Sequence, residues 1–429
     1  MRRMSATAHD ATETRILARC TELDARLVQA IRGIRLLQTV SWPASAQQRF
    51  IDNWRRGQRS LPDVRYQAPD LSQAREELVS IYQQADAGHP VGDYLRRSAE
   101  SWRIATDLLH AVGTAGVTEH SVRLFGRPGD TLPGSEQTNL DAARHFIGLA
   151  GELDQEILAS EADYCIPAET LQAELQTQLD AFFRFHKIQV EIDPDLIAKA
   201  AAGPTRIRLR SATCFSEYDR HQLVEHEAFV HSLTGLNGRE QPNLKSLGRS
   251  SPRVTATQEG LAVFAELISG SIDIERMKRI SLRIVAIDMA LCGANFIEVF
   301  QYFLDTGQTE SDSFSSTQRV FRGVPVSGGA AFTKDNVYLH GLLTVHTFFR
   351  WALKHRRLNL SRALFAGKMT LHDVIALEPY FESGYIAQPL YLPPWAQRAN
   401  GLAGMLAFSL FANHIRIGNV GVDDLVLGV

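Results

Sequence analysis

Cysteine is scarce in this chain. Four residues, at 20, 165, 214 and 292, stand far apart among 429, and none belongs to a CxxC pair. That spacing excludes a thiolate zinc knuckle and a dense disulfide scaffold. A surplus of positive charge is missing as well: 45 Lys and Arg face 48 Asp and Glu, a formal net charge of −3. Such a balance offers no field to a nucleic-acid backbone or an anionic lipid surface, so neither is an expected partner. Long apolar runs are also lacking. The longest, Gly401 to Ala412, falls short of the ~18–20 residues of a membrane span, and the stretch from Ile284 to Phe303 is interrupted by Asp288, Asn295 and Glu298. The opening MRRMSATAHDATETR carries charge with no apolar segment behind it, unlike a secretory signal. The expectation is a soluble, cytoplasmic protein. What is present is enough apolar material, 45% of residues, to build a large core in two lobes or more.

Along the chain, apolar residues recur at helical spacing over 13–38, 72–86, 92–116, about 138–160, 168–186, 217–234, 257–269, 275–305, 336–355 and 400–415. The period changes to two at Ile188, Val190 and Ile192, and again at Ile207 and Leu209, which predicts two short strands. The segment Gly126–Gly134 (GRPGDTLPG) breaks both patterns and reads as a boundary or long surface loop; residues 322–335 form a second Gly-rich loop. The fold class expected is α+β, predominantly helical. A helical N-terminal region (1–160) precedes a second lobe with a small sheet (161–429).

The chemistry concentrates at 221–231, HQLVEHEAFVH, where three of the 14 histidines enclose two glutamates. Neutral imidazoles are common zinc ligands, and a glutamate beside an activated water is a usual base. In the HExxH pattern the two histidines share one helix face and the glutamate serves the water. Here the spacing is one residue longer: His226-Glu227-Ala228-Phe229-Val230-His231 is HExxxH. At ~100° per residue, four steps bring a side chain within ~40° of the first, whereas five leave it ~140° away. A regular α-helix cannot aim both histidines at one ion. An i→i+5 stretch winds more slowly and can. A metal site therefore predicts a widened helix between 226 and 231. Two other arrangements fit the same residues. One is the reversed order, with His221, Glu225 and His226 as HxxxEH. The other is a polar helix face on which Glu227 and His231 pair in solvent. Spacing does not choose among the three.

Downstream, TQEGLAVFAE (257–266) reads as a helix start carrying carboxylates. Zinc hydrolases of the two-histidine type take a third ligand from a later helix, which makes Glu259 a candidate. Glu266, seven residues on, lies within ~20° of the same face. It is placed to accept the second N–H of a ligating histidine. Glu259 is equally readable as a charge favoured near a helix N-terminus. The string QEGLA, taken with HExxxH, resembles one family: the bacterial flavohemoglobin expression-modulating QEGLA-motif proteins, whose eukaryotic relatives are the microtubule-associated tyrosine carboxypeptidases. The resemblance covers most of 160–350, through HEAFVH, TQEGLA, RVFRG (319–323) and FTKDNVYLHG (332–341). It implies a zinc metallopeptidase-like protein with His226, His231 and Glu259 as ligands to one Zn²⁺ per chain, and Glu227 as the catalytic base. Eukaryotic members act on protein C-termini, so the resemblance implies a peptide or protein C-terminus as substrate.

Other residues take roles within that expectation. Arg319, Arg322 and Lys334 surround the Gly-rich loop and are candidates to hold a substrate carboxylate. Tyr338 is a candidate donor to a developing oxyanion. Arg206, Arg208 and Arg210 alternate on one strand, where solvated packing is expected in preference to strand addition by a substrate. Cys214 has no base positioned to activate it. The expected function is a zinc-dependent metallopeptidase of carboxypeptidase type, with 161–429 as its zincin-like metallopeptidase lobe. The alternatives are a regulatory or scaffolding protein whose metal is structural or absent, and a zinc hydrolase acting on a non-peptide amide or ester.

Overall fold

A computed structural model describes residues 2–416, apart from 154–164, 195, 197–198, 204 and 212. Helices form where the apolar spacing is helical, and local chemistry sets their ends. Ser72–Gln84, Pro90–His110, Ala168–Phe182, Thr255–Ser269 and Val337–Lys354 fall on expected segments. The helix expected over 138–160 is Asn139–Glu152, begun by a Thr138–Asp141 capping box; its final residues, from 154, lie outside the described residues. The expected 275–305 helix is two, Ile274–Leu291 and Phe296–Asp305. Gly293 at φ 110° breaks the first, and Asn295 caps the second by accepting the N–H groups of Ile297 and Glu298. Likewise 92–116 stops at His110, and Gly116–Phe125 follows.

Several helices went unforeseen, and two of them meet at one aromatic cluster. Glu310–Val320 is Ser-rich and weak in intrinsic propensity. Tertiary contact sustains it: Phe314 packs on Trp42 and Phe296. The same aromatic cluster holds Ala44–Arg55 through Phe50. Both expected strands are present, β1 (Gln189–Asp193) and β3 (Arg206–Arg210). Between them lies β2 (Ala200–Gly203), whose alanines give no alternating signal. The order is β1-β3-β2, with β1 parallel and β2 antiparallel to β3. Being central, β3 has no free edge for an added strand. Arg206 and Arg208 pair instead with Glu191 and Asp193 of β1, at 3.4 and 2.9 Å.

A disulfide joins Cys165 to Cys214, beside a backbone bridge between Ile166 and Phe215. One apolar cluster runs from Leu23 of the first helix to Leu406 of the last. The Gly126–Gly134 loop leads into Asn139, whose amide donates to the Asn336 carbonyl at 3.1 Å and to its Oδ1 at 2.8 Å. Helices from the first third are thereby tied to the segment preceding Tyr338. Among the described residues, no helix is long and apolar enough to cross a membrane.

Candidate metal centre

The centre is built on one continuous helical rod. Ser216 and Asp219 form a capping box that starts Glu217–Gln222, and Leu233–Glu240 ends the rod in ordinary α geometry. Between them Leu223–Ser232 is π-helical, with i→i+5 bonding through all ten residues. The widening expected between 226 and 231 is present and extends beyond them. It turns the two imidazoles to one side, with ring centroids 4.8 Å apart.

Glu259 meets them from Thr255–Ser269. That helix crosses Val337–Lys354 at backbone contact, because Gly260 faces Gly341. A Cβ on Gly260 would lie 2.2 Å from the Gly341 carbonyl carbon, and one on Gly341 would lie 2.2 Å from the Ala256 oxygen. The glycine of QEGLA and the last glycine of FTKDNVYLHG are therefore the two halves of one close crossing. Glu259 Oε2 stands 3.6 Å from His226 Nε2 and 3.5 Å from His231 Nε2. Bonds of ~2.0–2.2 Å at tetrahedral angles place two donors roughly 3.4 Å apart, so these three atoms fit one zinc ion. They form the one group of three or more His, Cys, Asp or Glu ligand atoms, all within 4.8 Å of one another, found among the described residues. His221 is exposed and neither it nor Glu225 joins that group, so the reversed order is not what the fold assembles. Glu225 is instead a half-buried carboxyl, pushed up to about 7 by burial.

Two of the three donors are held from behind. Glu266, wholly buried, accepts from His226 Nδ1 at 2.6 Å and from Arg276 at 3.1 and 3.2 Å. His226 Nε2 is thus left to point at the centre. Glu259 Oε1 accepts from Lys334 Nζ at 2.9 Å, which leaves Oε2 for the histidine side. Burial raises the Glu259 carboxyl, but Lys334 and the two imidazoles outweigh it and keep the group well below the usual carboxylate range. Burial also disfavours the His226 imidazolium, yet Glu259, Glu266 and Glu227 push that group up to about 10. Carboxylates converging on two imidazoles, one buried and one half-buried, make a place for a cation.

A cavity of about 390 Å³ opens beside His226, with Glu227 and Tyr338 on its wall. Glu227 lies outside the three-donor group, which leaves its carboxylate available to the cavity. The Tyr338 hydroxyl sits 3.5 Å from both Arg319 and Lys334, a phenol flanked by two cations.

The cations expected to hold a substrate carboxylate separate into two kinds. Lys334 is engaged with Glu259, and Arg319 grips Asp335 through two bonds of 2.5 and 2.6 Å. Both have internal partners. Arg322 differs: its Nε is buried with no hydrogen-bond partner, and it lines the cavity. Sequence reasoning overlooked Arg276, Arg279 and Arg283, which also face the cavity. Their signal was available, since steps of three and four on Ile274–Leu291 put all three on one helix face.

No curated protein matches this chain. A family model does: that of the microtubule-associated tyrosine carboxypeptidase, over residues 48–414. That span takes in the π-helical stretch, the Gly260–Gly341 crossing and the arginine-lined cavity, and the chain belongs to the microtubule-associated tyrosine carboxypeptidase family.

Proposed function

We propose that this chain is a zinc-dependent carboxypeptidase that removes a residue from the C-terminus of a peptide or protein. The observation that carries the reading is the convergence of His226 Nε2, His231 Nε2 and Glu259 Oε2 beside a cavity that Glu227 lines. Those three side chains would hold one Zn²⁺, which when bound polarises the scissile carbonyl and acidifies a water molecule. Glu227 takes the proton from that water and passes it to the departing amine. Tyr338, its hydroxyl between Arg319 and Lys334, donates to the oxygen on which charge develops. Glu266 keeps the Nδ1 proton of His226 in place, and Lys334 fixes the rotamer of Glu259.

Glu227→Gln tests this reading. Zinc content should stay near one per chain, because Glu227 is not among the three donors. Hydrolysis of peptides with free C-termini should fall by ~10²–10⁴-fold, the contribution of a positioned general base. Undiminished hydrolysis would refute the role of Glu227. Zinc-free protein that takes up no added zinc would refute the metal.

A further inference from the structure

Of the three donors, His231 is the one with no side chain behind it. His226 Nδ1 is bonded to Glu266 and Glu259 Oε1 to Lys334. Among the described residues, the His231 ring meets only Glu259 and the other imidazole. What fixes it lies in the main chain. Ser232, next to it, donates to the Gly203 carbonyl of β2 at 2.9 Å. Three residues on from His231, buried Thr234 places its hydroxyl 2.7 Å from the Val230 carbonyl and 3.5 Å from that of His231 itself. A threonine bonded to its own i−4 carbonyl is a matter within one helix. The same hydroxyl also donates to Gln258 Oε1 at 2.9 Å, and Gln258 is the residue before Glu259.

That contact has a counterpart. His226 to Thr234 on the rod is eight residues, and Glu266 to Gln258 on the facing helix is eight residues in the opposite sense. The two helices run antiparallel and are tied at both ends of the stretch that carries all three donors. One tie, His226 to Glu266, sits at a donor. The other sits one turn beyond His231 and one residue before Glu259. Gln258 is 4% exposed, and its Nε2 is buried with no hydrogen-bond partner. A half-satisfied buried amide is costly, so packing alone does not account for a glutamine there. We propose that Gln258 and Thr234 are positioning residues for His231. Their bond holds the turn where π-helix passes into α-helix against the helix of Glu259, and so sets the spacing of those two donors before a metal arrives. The inference rests on the metal reading given above.

The test compares Gln258→Met, Thr234→Val, their double variant and Thr234→Ser with the wild-type full chain. Methionine matches glutamine closely in volume and helix propensity. It leaves Thr234 its Val230 acceptor and removes the unpartnered Nε2. Zinc-free Gln258→Met should therefore unfold at the wild-type denaturant concentration or a higher one. Its zinc affinity, read by competition with a chelator, should fall by ~3–10-fold, less than for a partner bonded directly to a ligand. Thr234→Val should lose affinity as well, and the double variant should lose less than the two single losses combined, as for residues that act through one bond. Co²⁺ bound in place of zinc should give altered visible bands in Gln258→Met and wild-type bands in Thr234→Ser, which keeps the hydroxyl. Zinc affinity of Gln258→Met within ~2-fold of wild type overturns the proposal, as do fully additive losses. A Gln258→Met protein that is less stable without zinc, or does not fold, overturns it too, because the bond then serves the fold. Wild-type protein that takes up neither zinc nor Co²⁺ refutes the metal reading, and this inference with it; metal bound equally well by wild type and Gln258→Met refutes this inference alone.

Discussion

Glu266 gives the sharpest measure of how the proposed zinc ligands are held. In Glu266→Gln the side chain keeps its size and a carbonyl oxygen for His226 Nδ1, but the charge is gone. The bond at 2.6 Å changes from charge-assisted to neutral. Bonds to charged groups contribute about 1.5–3 kcal/mol against about 0.5–1.5 for neutral ones, so the difference is about 1–1.5 kcal/mol, or ~10-fold in zinc affinity. A second effect has the same sign. Arg276, only 15% exposed, loses its anion and becomes an uncompensated cation near the metal position. The two together place the expected loss at ~10–100-fold, the range known for carboxylates behind metal-bound histidines. Competition against a chromophoric chelator measures the affinity directly, with circular dichroism confirming a folded protein. Glu225→Gln is the control: Glu225 neighbours His226 in sequence, forms no bond to it, and should leave zinc affinity unchanged. Should Glu266→Gln bind zinc within ~3-fold of the parent, the idea that Glu266 orients His226 is wrong.

Two further outcomes are expected. Gly260→Ala should lower unfolding free energy by about 3 kcal/mol or more and weaken zinc binding at the same time. Its methyl has no room against Gly341 and must push away the helix that carries Glu259. Denaturant titration at wild-type stability would contradict that geometry. Asp24 is buried and pushed up to about 6, chiefly by burial, from an ordinary value of 3.8. Between those values the folded state binds the proton more tightly, so stability falls as pH rises through them, and above pH 6 the ionised carboxylate costs about 3 kcal/mol. Asp24→Asn can still accept from the Ser246 N–H. It should raise Tm at pH 8, with the gain vanishing towards pH 4; a pH-independent difference would refute the assignment.

The helices with strong apolar periodicity and the two alternating strands were legible in the chain, and so was the demand that HExxxH makes on its helix. Spacing states which face a residue occupies. It does not state what stands opposite. Lys334 illustrates this, because an exposed cation and one bonded to Glu259 leave the same trace in sequence. Gly260 and Gly341 are likewise two unremarkable glycines until two helices are brought to backbone contact. Arg276, Arg279 and Arg283 did carry a helical-face signal, but their meaning depends on Asp335 and Glu266, which arrive from other segments. Glu310–Val320 and β2 were missed for a related reason. Their own propensities are weak: Trp42 and Phe296 hold the helix, and pairing with β3 holds the strand.

The π-helical stretch has a consequence for how such a motif can arise. Ordinary α-helix lies on either side of it, at Glu217–Gln222 and Leu233–Glu240. An extra residue inside a helix is absorbed as wider bonding, while the turns before and after keep their direction. Loss of any one of Ala228, Phe229 or Val230 would restore HExxH spacing. The four-residue and five-residue histidine spacings are therefore separated by a single codon, and a length change there need not disturb the elements packed against either end.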